Sequence, residues 1–543
     1  MNTFFSAYFE RIYERMGVQN SKDGDVENNC RPDDDNTKSK HIEEALQLDV
    51  EDSESDCDGN VEITSEMEQL AESMDPRNYI EKYPFENLVF EGGGAKGIAY
   101  PGALKALEDI GILQNIKRFA GTSVGSIVAL MTALGYNSTE ISQITRRDLS
   151  EYYDARWGKL SLIPNLLRYL GWQPFHSLYE HLGEIIERKL GDKDATFEQL
   201  YKKTGKELCV VVTNVNNMEE NYLHPKTTPK MPLRKAVRMS ISIPGLMQPI
   251  KHTEFDVENI YVDGGVLFNY PIECFDGWWL SMEKKDSFFA RLQPIEKLPV
   301  ILDRRNRFAS DEKKSTKTLG FLLYSDDELE TFKIAFESRR RTKIKYPDTP
   351  LGRKAAQNQK DRQKLRREHR ATVTSVNKFL KILSEHILDK DEFIDRKELE
   401  KTLENENLTD CDKHRLFGKN VTFDEVMTKL DKDGNGKISF QELVSFIEEK
   451  GISVFHRRLG FRRQNVDTVL SLLQTLYTML SMNIVRISAS GKDLSRTVGL
   501  NTHFVETLTV GLTEEDIKFI QKDSYNTTMT FLKSFAAKME KNT

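Results

Sequence analysis

The chain has 543 residues and a net charge of −7, and its length is too great for a single hydrophobic core. Apolar residues make up 38% and charged residues 30%, but no apolar run reaches about 18 residues, which argues against a membrane-spanning helix. The first residues lack the pattern of a signal peptide, and the five cysteines have the spacing of neither a disulfide framework nor a zinc site. We therefore expect a cytoplasmic protein of several domains.

The N-terminal segment combines an amphipathic pattern with a long acidic stretch. Phe5, Phe9, Ile12 and Met16 recur at helical spacing and predict an amphipathic helix over 1–19. This helix could dock on a globular domain or lie at a membrane interface. From Lys22 to Asp75 there are 19 acidic and 4 basic residues with few apolar ones, so we expect a disordered acidic tail over 20–80.

A glycine cluster follows the first predicted strand of the globular region. The apolar run 87–90 reads as a buried strand, and a helical pattern from Ala103 to Ile110 follows the cluster. A dinucleotide-binding loop would require an acidic residue at the end of the second strand, which this chain lacks. The alternative is an oxyanion hole, in which backbone N–H groups stabilise a charge that develops during a reaction. The cluster comprises Gly92, Gly93, Gly94, Ala95, Lys96 and Gly97.

A second motif, Gly121-Thr122-Ser123-Val124-Gly125, follows a predicted strand over 116–120. A nearly continuous apolar helix comes directly after it, so the serine would lie at a strand-to-helix turn. Such a turn exposes a serine hydroxyl as a nucleophile, and the N–H of Val124 would then join the oxyanion hole. The bland reading of the pentapeptide is an ordinary Gly/Ser turn.

The candidate proton acceptor is an aspartate at the end of a later apolar strand. Asp263 is followed by Gly264 and Gly265, and its position is typical of functional carboxylates at the C-terminal ends of strands. The alternative is a simple Asp-capped turn. His224 precedes a proline and His252 lies in a polar Lys-His-Thr-Glu loop, so we expect both of them at the surface rather than in a catalytic role.

Together these motifs resemble the patatin-like phospholipase family of lipid acyl hydrolases. The resemblance covers roughly 85–325 and implies an α/β three-layer fold with a mostly parallel central sheet. It also implies that Ser123 is the nucleophile and Asp263 the base of a catalytic dyad. The segments Arg496–Leu500 and Leu512–Asp516 look similar to the end of the family's core, which we place at 465–540.

The resemblance is interrupted by about 140 residues, 326–464, which contain a basic block and a calcium-loop motif. Arg339 to Arg370 holds 13 basic and 3 acidic residues; a solvated helical face or an anionic-lipid patch explains it better than a nucleic-acid site. An EF-hand is predicted at about 418–453, within an all-α insert. Its calcium ligands would be Asp431, Asp433, Asn435, Lys437, Ser439 and Glu442.

EF-hands usually occur in pairs, and the sequence offers a degenerate partner. Ile394 and Glu398 align with Ile438 and Glu442 at an offset of 44 residues. This alignment places Ile387 at the first ligand position and Glu392 where glycine is required, so we expect a half that pairs structurally but binds calcium poorly.

The expected function is hydrolysis of fatty acyl esters of phospholipids, of the phospholipase A type, on a peripheral membrane surface. Calcium would regulate the protein, since serine ester hydrolysis needs no metal. Two alternatives stay open: a catalytically inactive, calcium-responsive membrane adaptor, and a neutral-lipid hydrolase or acyltransferase that uses the same dyad.

Overall fold

The computed structural model describes a large part of the chain, with several gaps. The described residues are 75–147, 149–154, 158–254, 256–309, 312–325, 336, 344–386, 393–419, 421–450, 475–476 and 493–542. The predicted N-terminal helix and almost all of the acidic tail lie outside these residues, as do 387–392 of the degenerate EF-hand half.

Twelve strands form three sheets within the described residues. Their bounds are β1 Asn87–Phe90, β2 Arg118–Thr122, β3 Gly171–Gln173, β4 Glu207–Asn214, β5 Glu219–Leu223, β6 Gly245–Met247, β7 Ile250–Glu254, β8 Val257–Asp263, β9 Thr318–Tyr324, β10 Phe393–Ile394, β11 Ile438–Ser439 and β12 Thr497–Asn501.

The α-helices of eight or more residues are numbered separately from the short helical turns. They are α1 Tyr100–Ile110, α2 Val124–Ala133, α3 Ser138–Thr145, α4 Leu162–Tyr169, α5 His176–Leu190, α6 Phe197–Thr204, α7 Leu233–Ser240, α8 Pro350–His386, α9 Arg396–Glu404, α10 Asp410–Phe417, α11 Phe423–Leu430, α12 Phe440–Glu449 and α13 Glu514–Asn542. Short α-turns are Leu298–Leu302, Arg304–Arg307 and Glu312–Ser315, and 3₁₀ turns are Pro76–Lys82, Gly94–Ala99, Ile112–Asn115, Leu149–Tyr152, Gly158–Ser161, Gly264–Val266, Lys284–Asp286, Phe289–Arg291 and Asp493–Arg496.

The main sheet has eight strands and is parallel through its centre. Strands β12, β9, β1, β2 and β4 pair in parallel in that order, and β8 and β7 continue the sheet as antiparallel strands. Strand β5 pairs with the other side of β4. The central strands are short apolar runs buried on both faces, as expected for a parallel sheet.

Each face of this sheet packs against a different kind of cover. On one face, alternate strand residues such as Leu88 and Phe90 pack against α1, α2, α5, α7 and α13. On the other face, Val89 and Val211 pack against an aromatic segment between Phe268 and Phe308 that is built from turns. The predicted α/β fold with a mostly parallel central sheet is confirmed, and its second cover consists of turns rather than long helices.

The predicted insert leaves the core after β9 and the chain returns at β12, which pairs directly with β9. Its described helices, α8 to α12, have a separate hydrophobic core. The end of α8 contributes Val376, Phe379 and Leu383 to that core. The interruption therefore falls between two neighbouring strands, where an added domain leaves the sheet pairing intact.

No helix among the described residues is both long enough and apolar enough to cross a membrane.

Candidate functional site

The meeting point of Ser123 and Asp263 is set by strand β4. Strand β2 runs parallel to β4 and ends with Thr122 opposite Val211. Strand β8 runs antiparallel to β4 and ends with Asp263 opposite Val212. The two strands therefore approach each other end to end along neighbouring residues of β4. This topology brings residues 140 positions apart into contact.

Ser123 occupies a strained turn between β2 and α2. Its φ and ψ angles are 53° and −130°, a conformation that is rare for a residue with a side chain. The turn closes tightly because a Cβ atom on Gly121 would lie 2.3 Å from the carbonyl carbon of Gly125. A Cβ on Gly125 would in turn lie 2.4 Å from the Phe90 carbonyl oxygen. Both flanking glycines are thus required by close backbone approach.

The serine hydroxyl and the aspartate carboxylate form a buried hydrogen bond. Ser123 Oγ donates to Asp263 Oδ2 at 2.7 Å, and both residues are buried. The other carboxylate oxygen, Oδ1, accepts from the N–H of Gly265 at 2.7 Å. A Cβ on Gly264 would collide with the Val211 carbonyl oxygen at 2.3 Å. The two glycines after Asp263 therefore let the backbone turn back and orient its carboxylate.

Two serines at the C-terminal end of α7 form hydrogen bonds with the backbone of the two dyad residues. The N–H of Ser123 donates to Ser240 Oγ at 2.9 Å, and Ser240 Oγ donates to the Val211 carbonyl at 2.6 Å. The N–H of Asp263 donates to the Ser242 carbonyl oxygen at 2.9 Å. The sequence analysis did not predict these contacts. Small polar residues in an otherwise buried helix end were the available signal.

The glycine cluster lies beside the nucleophile and offers backbone donors to it. A Cβ on Gly92 would be 2.9 Å from the Ser123 Cβ, which places the start of the cluster against the serine. Among the described residues, the N–H groups of Gly93, Gly94 and Val124 have no hydrogen-bond acceptor. These three N–H groups are the candidate oxyanion donors.

The remaining residues of the predicted oxyanion cluster are committed to the loop itself. The N–H of Gly92 donates to the Asn269 carbonyl oxygen, that of Ala95 to the Thr507 carbonyl, and that of Lys96 to the Gly93 carbonyl. Because these three N–H groups already have backbone acceptors, they stabilise the loop conformation and are not candidate oxyanion donors. Gly97 lies inside the 3₁₀ turn, where a Cβ would contact Val124 Cγ2 at 2.6 Å.

Gly94 marks a close contact between the glycine loop and the chain beyond the insert. It has a φ of +55°, and a Cβ there would lie 2.2 Å from the Thr507 carbonyl oxygen. The same carbonyl accepts the N–H of Ala95 at 2.9 Å. The C-terminal part of the core therefore fixes the position of the candidate oxyanion loop.

The surface position predicted for His224 is wrong, whereas His252 is only partly buried. His224 is fully buried, with Nε2 3.2 Å from Glu207 Oε2, and burial lowers the pKa of His224. His252 lies in strand β7 rather than in a loop, and its Nδ1 is 3.0 Å from Lys235 Nζ. Burial, followed by the Lys235 charge, lowers the pKa of His252. Neither histidine has a hydrogen bond to Ser123 or Asp263 among those described.

The predicted metal loop joins α11 and α12 and is exposed to solvent. Ligand oxygens of Asp431, Asp433 and Glu442 all lie within 4.8 Å of one another. Gly434 and Gly436 have φ angles of +73° and +81°, which glycine adopts without strain. The Asp431 carboxylate accepts from the backbone N–H groups of Gly434, Asn435 and Gly436 at 2.8 to 3.1 Å. The loop is thus wound around converging carboxylates.

The last acidic residue of the loop is held by the backbone at the start of α12. Glu442 Oε2 accepts from the N–H and the hydroxyl of Ser439, and Oε1 accepts from the N–H of Lys432 and Asp433. The bonds to Ser439 are the main reason that the pKa of Glu442 falls to about 2. A carboxylate that stays ionised over such a wide pH range suits a hard cation with oxygen ligands. The donor set, with Asn435 Oδ1 and the Lys437 carbonyl, fits calcium.

The loop is paired with the segment that sequence alignment proposed as its degenerate partner. Ile394 pairs with Ile438 in the short antiparallel sheet β10–β11, the register that the 44-residue offset predicts. Glu398 is used as a capping residue, because it exchanges hydrogen bonds with Asp395 at the start of α9. The ligand positions at 387–392 lie outside the described residues.

Both the α/β core and the calcium-loop region of the chain are similar to known protein families. Residues 88–276 match the model of the patatin-like phospholipase family, and residues 422–450 match that of the EF hand domain. The protein YqhO of Bacillus subtilis is 36% identical over 209 residues, covering 36% of this chain and 67% of YqhO. A probable lipid hydrolase, 463L of Invertebrate iridescent virus 6, is 28% identical over 210 residues, covering 37% and 67%.

The first curated relatives share only part of their length with this chain, which spans 63% to 67% of them. Among solved structures, VipD from Legionella pneumophila aligns over 82% of this chain and 66% of its own, at 16% identity and a TM-score of 0.36. On the sequence matches, this chain belongs to the patatin-like phospholipase family of lipid hydrolases and carries an EF-hand domain.

Proposed function

We propose that the protein is a lipid acyl hydrolase of the phospholipase A type that cleaves fatty acyl esters with Ser123 and Asp263. The observation that carries this proposal is the 2.7 Å hydrogen bond from the Ser123 hydroxyl to the buried Asp263 carboxylate. A nucleophile held directly on its base, at a strained turn beside unpaired N–H groups, has the parts that acyl transfer needs.

The proposed reaction proceeds through an acyl-enzyme. Ser123 Oγ attacks the ester carbonyl carbon while Asp263 Oδ2 takes the hydroxyl proton. The N–H groups of Gly93, Gly94 and Val124 stabilise the oxyanion of the tetrahedral intermediate. When the intermediate collapses, Asp263 gives the proton to the departing lysophospholipid alkoxide. Water then attacks the acyl-enzyme while Asp263 takes a proton from it. When the bond to Ser123 Oγ breaks, Asp263 returns this proton to Oγ and the fatty acid leaves.

Hydrolysis of a lipid panel by wild type and Ser123→Ala tests this proposal. We expect release of fatty acid from phospholipids by wild type, with and without calcium, and its loss in the variant. An inactive wild-type protein that still binds membranes would instead identify a calcium-responsive adaptor. Preference for triacylglycerol, or transfer of the acyl group to an added alcohol, would redirect the proposal to the other alternative on the same dyad.

We further propose that calcium binding at the Asp431–Glu442 loop regulates how the protein meets membranes. The second half of the basic block lies on α8, and the end of the same helix packs in the core of the EF-hand lobe. A continuous helix can transmit a rearrangement of the lobe to its basic residues, which favour anionic lipid. The ion supplies no step of the ester chemistry.

Vesicle binding of wild type and Glu442→Gln, with calcium and with chelator, tests this regulation. We expect calcium to change the binding of wild type to anionic vesicles and to have little effect on the variant. Glu425→Gln is a matched control, because Glu425 has the same capping contacts at the start of α11 but lies outside the loop. An equal calcium response in Glu442→Gln and wild type would exclude the loop as the sensor.

The proposed place of action is the cytoplasmic face of a membrane, with peripheral attachment. Fractionation of cells that express the tagged chain would test it, with recovery in the soluble fraction after a high-salt wash as the expected result. Recovery from the medium would contradict the proposal.

A further inference from the structure

Helix α4 and its flanks expose apolar side chains in a regular stripe. Leu160, Ile163, Leu167 and Leu170 follow each other at spacings of three and four residues, and their exposed fractions are 81%, 68%, 79% and 54%. Leu162, Leu166 and Tyr169 form a second exposed row beside the first. No residue of α4 is buried.

The polarity of this helix is opposite to that of an ordinary surface helix, which turns its polar side outward. Its polar residue Asn165 points inward and donates to the carbonyl oxygen of Trp172 at 2.9 Å. The Trp172 indole N–H donates to the Gly158 carbonyl at 3.2 Å and closes the segment on itself. The inward hydrogen bonds thus hold the leucines on the outer side, where only an apolar partner can cover them.

The residue types next to the helix in the sequence favour a lipid surface as its partner. In the sequence, Lys159 precedes the apolar stripe and Arg168 lies within it, and no acidic residue occurs between Asp154 and Glu180. Tyr169 and Trp172 lie at the end of the helix, and aromatic residues of this kind favour the headgroup region of bilayers. Basic residues beside an exposed apolar stripe, without acids, match an interfacial helix on anionic lipid.

The helix is connected to the dyad by a short path of hydrogen bonds. Strand β3 follows α4 directly and pairs with β6, and the buried guanidinium of Arg238 ties the two segments together. It donates to the carbonyl oxygens of Pro174 and Gln248, and to Ser242 Oγ at 2.6 Å. The Ser242 carbonyl in turn accepts the N–H of Asp263. A lipid surface that binds α4 would therefore contact a segment that is linked by hydrogen bonds to Asp263, the base of the dyad.

We propose that the segment Leu160–Leu170 is an interfacial docking element, which inserts its leucines into the headgroup and acyl boundary of an anionic bilayer. The proposal rests on the proposed function in one respect, namely that the substrate is a membrane lipid. Docking through this helix needs no calcium, which distinguishes it from attachment through the basic block.

Co-flotation with vesicles tests the docking element apart from catalysis. The full chain carrying Ser123→Ala is mixed with vesicles of phosphatidylcholine and phosphatidylserine in chelator. Ile163→Gln with Leu167→Gln in this background should lower the partition coefficient about 10- to 100-fold, because two buried aliphatic side chains are lost from the interface. Arg168→Gln should weaken binding to these vesicles but not to pure phosphatidylcholine.

Val257→Ser is the matched control, because Val257 is exposed at the far end of strand β8 from Asp263. It should leave partitioning unchanged, and thermal melting should show that every variant is folded. Unchanged partitioning of the double variant would overturn the proposal. If the wild-type chain then proves to be a dimer that the double variant no longer forms, the stripe is a contact between copies of this chain.

The two proposals fail in different ways. Helix-dependent vesicle binding without ester cleavage by the chain with Ser123 intact would reject the proposed function and keep the docking element. Ester cleavage with helix-independent vesicle binding would do the reverse.

Discussion

The dyad and the calcium loop are two acidic sites built on opposite plans. Ser123 and Asp263 are 140 residues apart and fully enclosed, and they meet because two strands end on neighbouring residues of β4. The calcium loop is one continuous segment from Asp431 to Glu442, exposed to solvent and wound around its own carboxylates. The first site depends on the whole sheet, and the second depends on a turn between two helices.

The difference shows how each site keeps a carboxylate ready for its task. At Asp263, one oxygen accepts from a backbone N–H and the other accepts from the Ser123 hydroxyl. At Glu442, both oxygens accept hydrogen bonds from backbone N–H groups of the loop. A bound cation would interact with the same carboxylate. A fixed, enclosed pair favours proton transfer, whereas an open ring of acceptors favours exchange of an ion.

The largest expected effect is the loss of activity on substitution of either dyad residue, and it shows whether Ser123 and Asp263 act as a unit. Ser123→Ala and Asp263→Asn should each lower kcat/KM by roughly three orders of magnitude or more, and the double variant should be no worse than either. Steady-state kinetics on a short-chain ester measure this effect. Additive losses in the double variant would show that the two residues act independently.

A smaller effect is expected from the contact between the glycine loop and the chain beyond the insert. Gly94→Ala should lower kcat about 100-fold with little change in KM, because a Cβ would collide with the Thr507 carbonyl and displace oxyanion donors. Gly135→Ala is the control, since Gly135 also has a positive φ but nothing lies within 4 Å of the added Cβ. Equal losses in the two variants would attribute the effect to backbone strain alone.

Loss of the Ser240 hydrogen bonds next to Ser123 should lower kcat less than the substitution in the glycine loop. Ser240→Ala leaves the Ser123 N–H and the Val211 carbonyl without their buried partner. We expect a loss of about 1–3 kcal/mol in the free energy of unfolding. A fall in kcat should accompany it, because the turn that carries Ser123 loses a hydrogen bond. Ser524→Ala, at a buried serine in α13, should change stability less and leave kcat unchanged. Urea denaturation and ester kinetics of both variants check this ranking.

The smallest expected effect concerns the pH dependence of the calcium loop. Hydrogen bonds with Ser439 lower the pKa of Glu442 from 4.5 to about 2, so the folded loop favours the ionised form. The resulting stabilisation should be complete above pH 4.5 and should be lost as the pH falls through about 2. Carboxyl titration by NMR should show a higher pKa of Glu442 in Ser439→Ala, which removes the hydroxyl donor. An unchanged pKa would assign the effect to the backbone alone.

Local features of the sequence were sufficient to predict the conformation of each of these segments separately. The strand 87–90, the turn around Ser123, the strand that ends at Asp263 and the calcium loop all follow from short patterns of apolar residues, glycines and carboxylates. The pairing of Ile394 with Ile438 also follows from repetition along the chain. These features are readable because their conformations are decided by nearby residues.

Contacts between distant segments could be decided only by the tertiary structure. The burial of His224 and the contact of Thr507 with the glycine loop leave no local pattern, since each depends on how strands and helices pack. The polar residues Ser240 and Ser242 can be seen in the sequence, but only the packing decides which backbone groups they bind. The outward leucines of α4 belong here as well. Their spacing in the sequence is that of any amphipathic helix, and packing alone determines which side of a helix faces solvent.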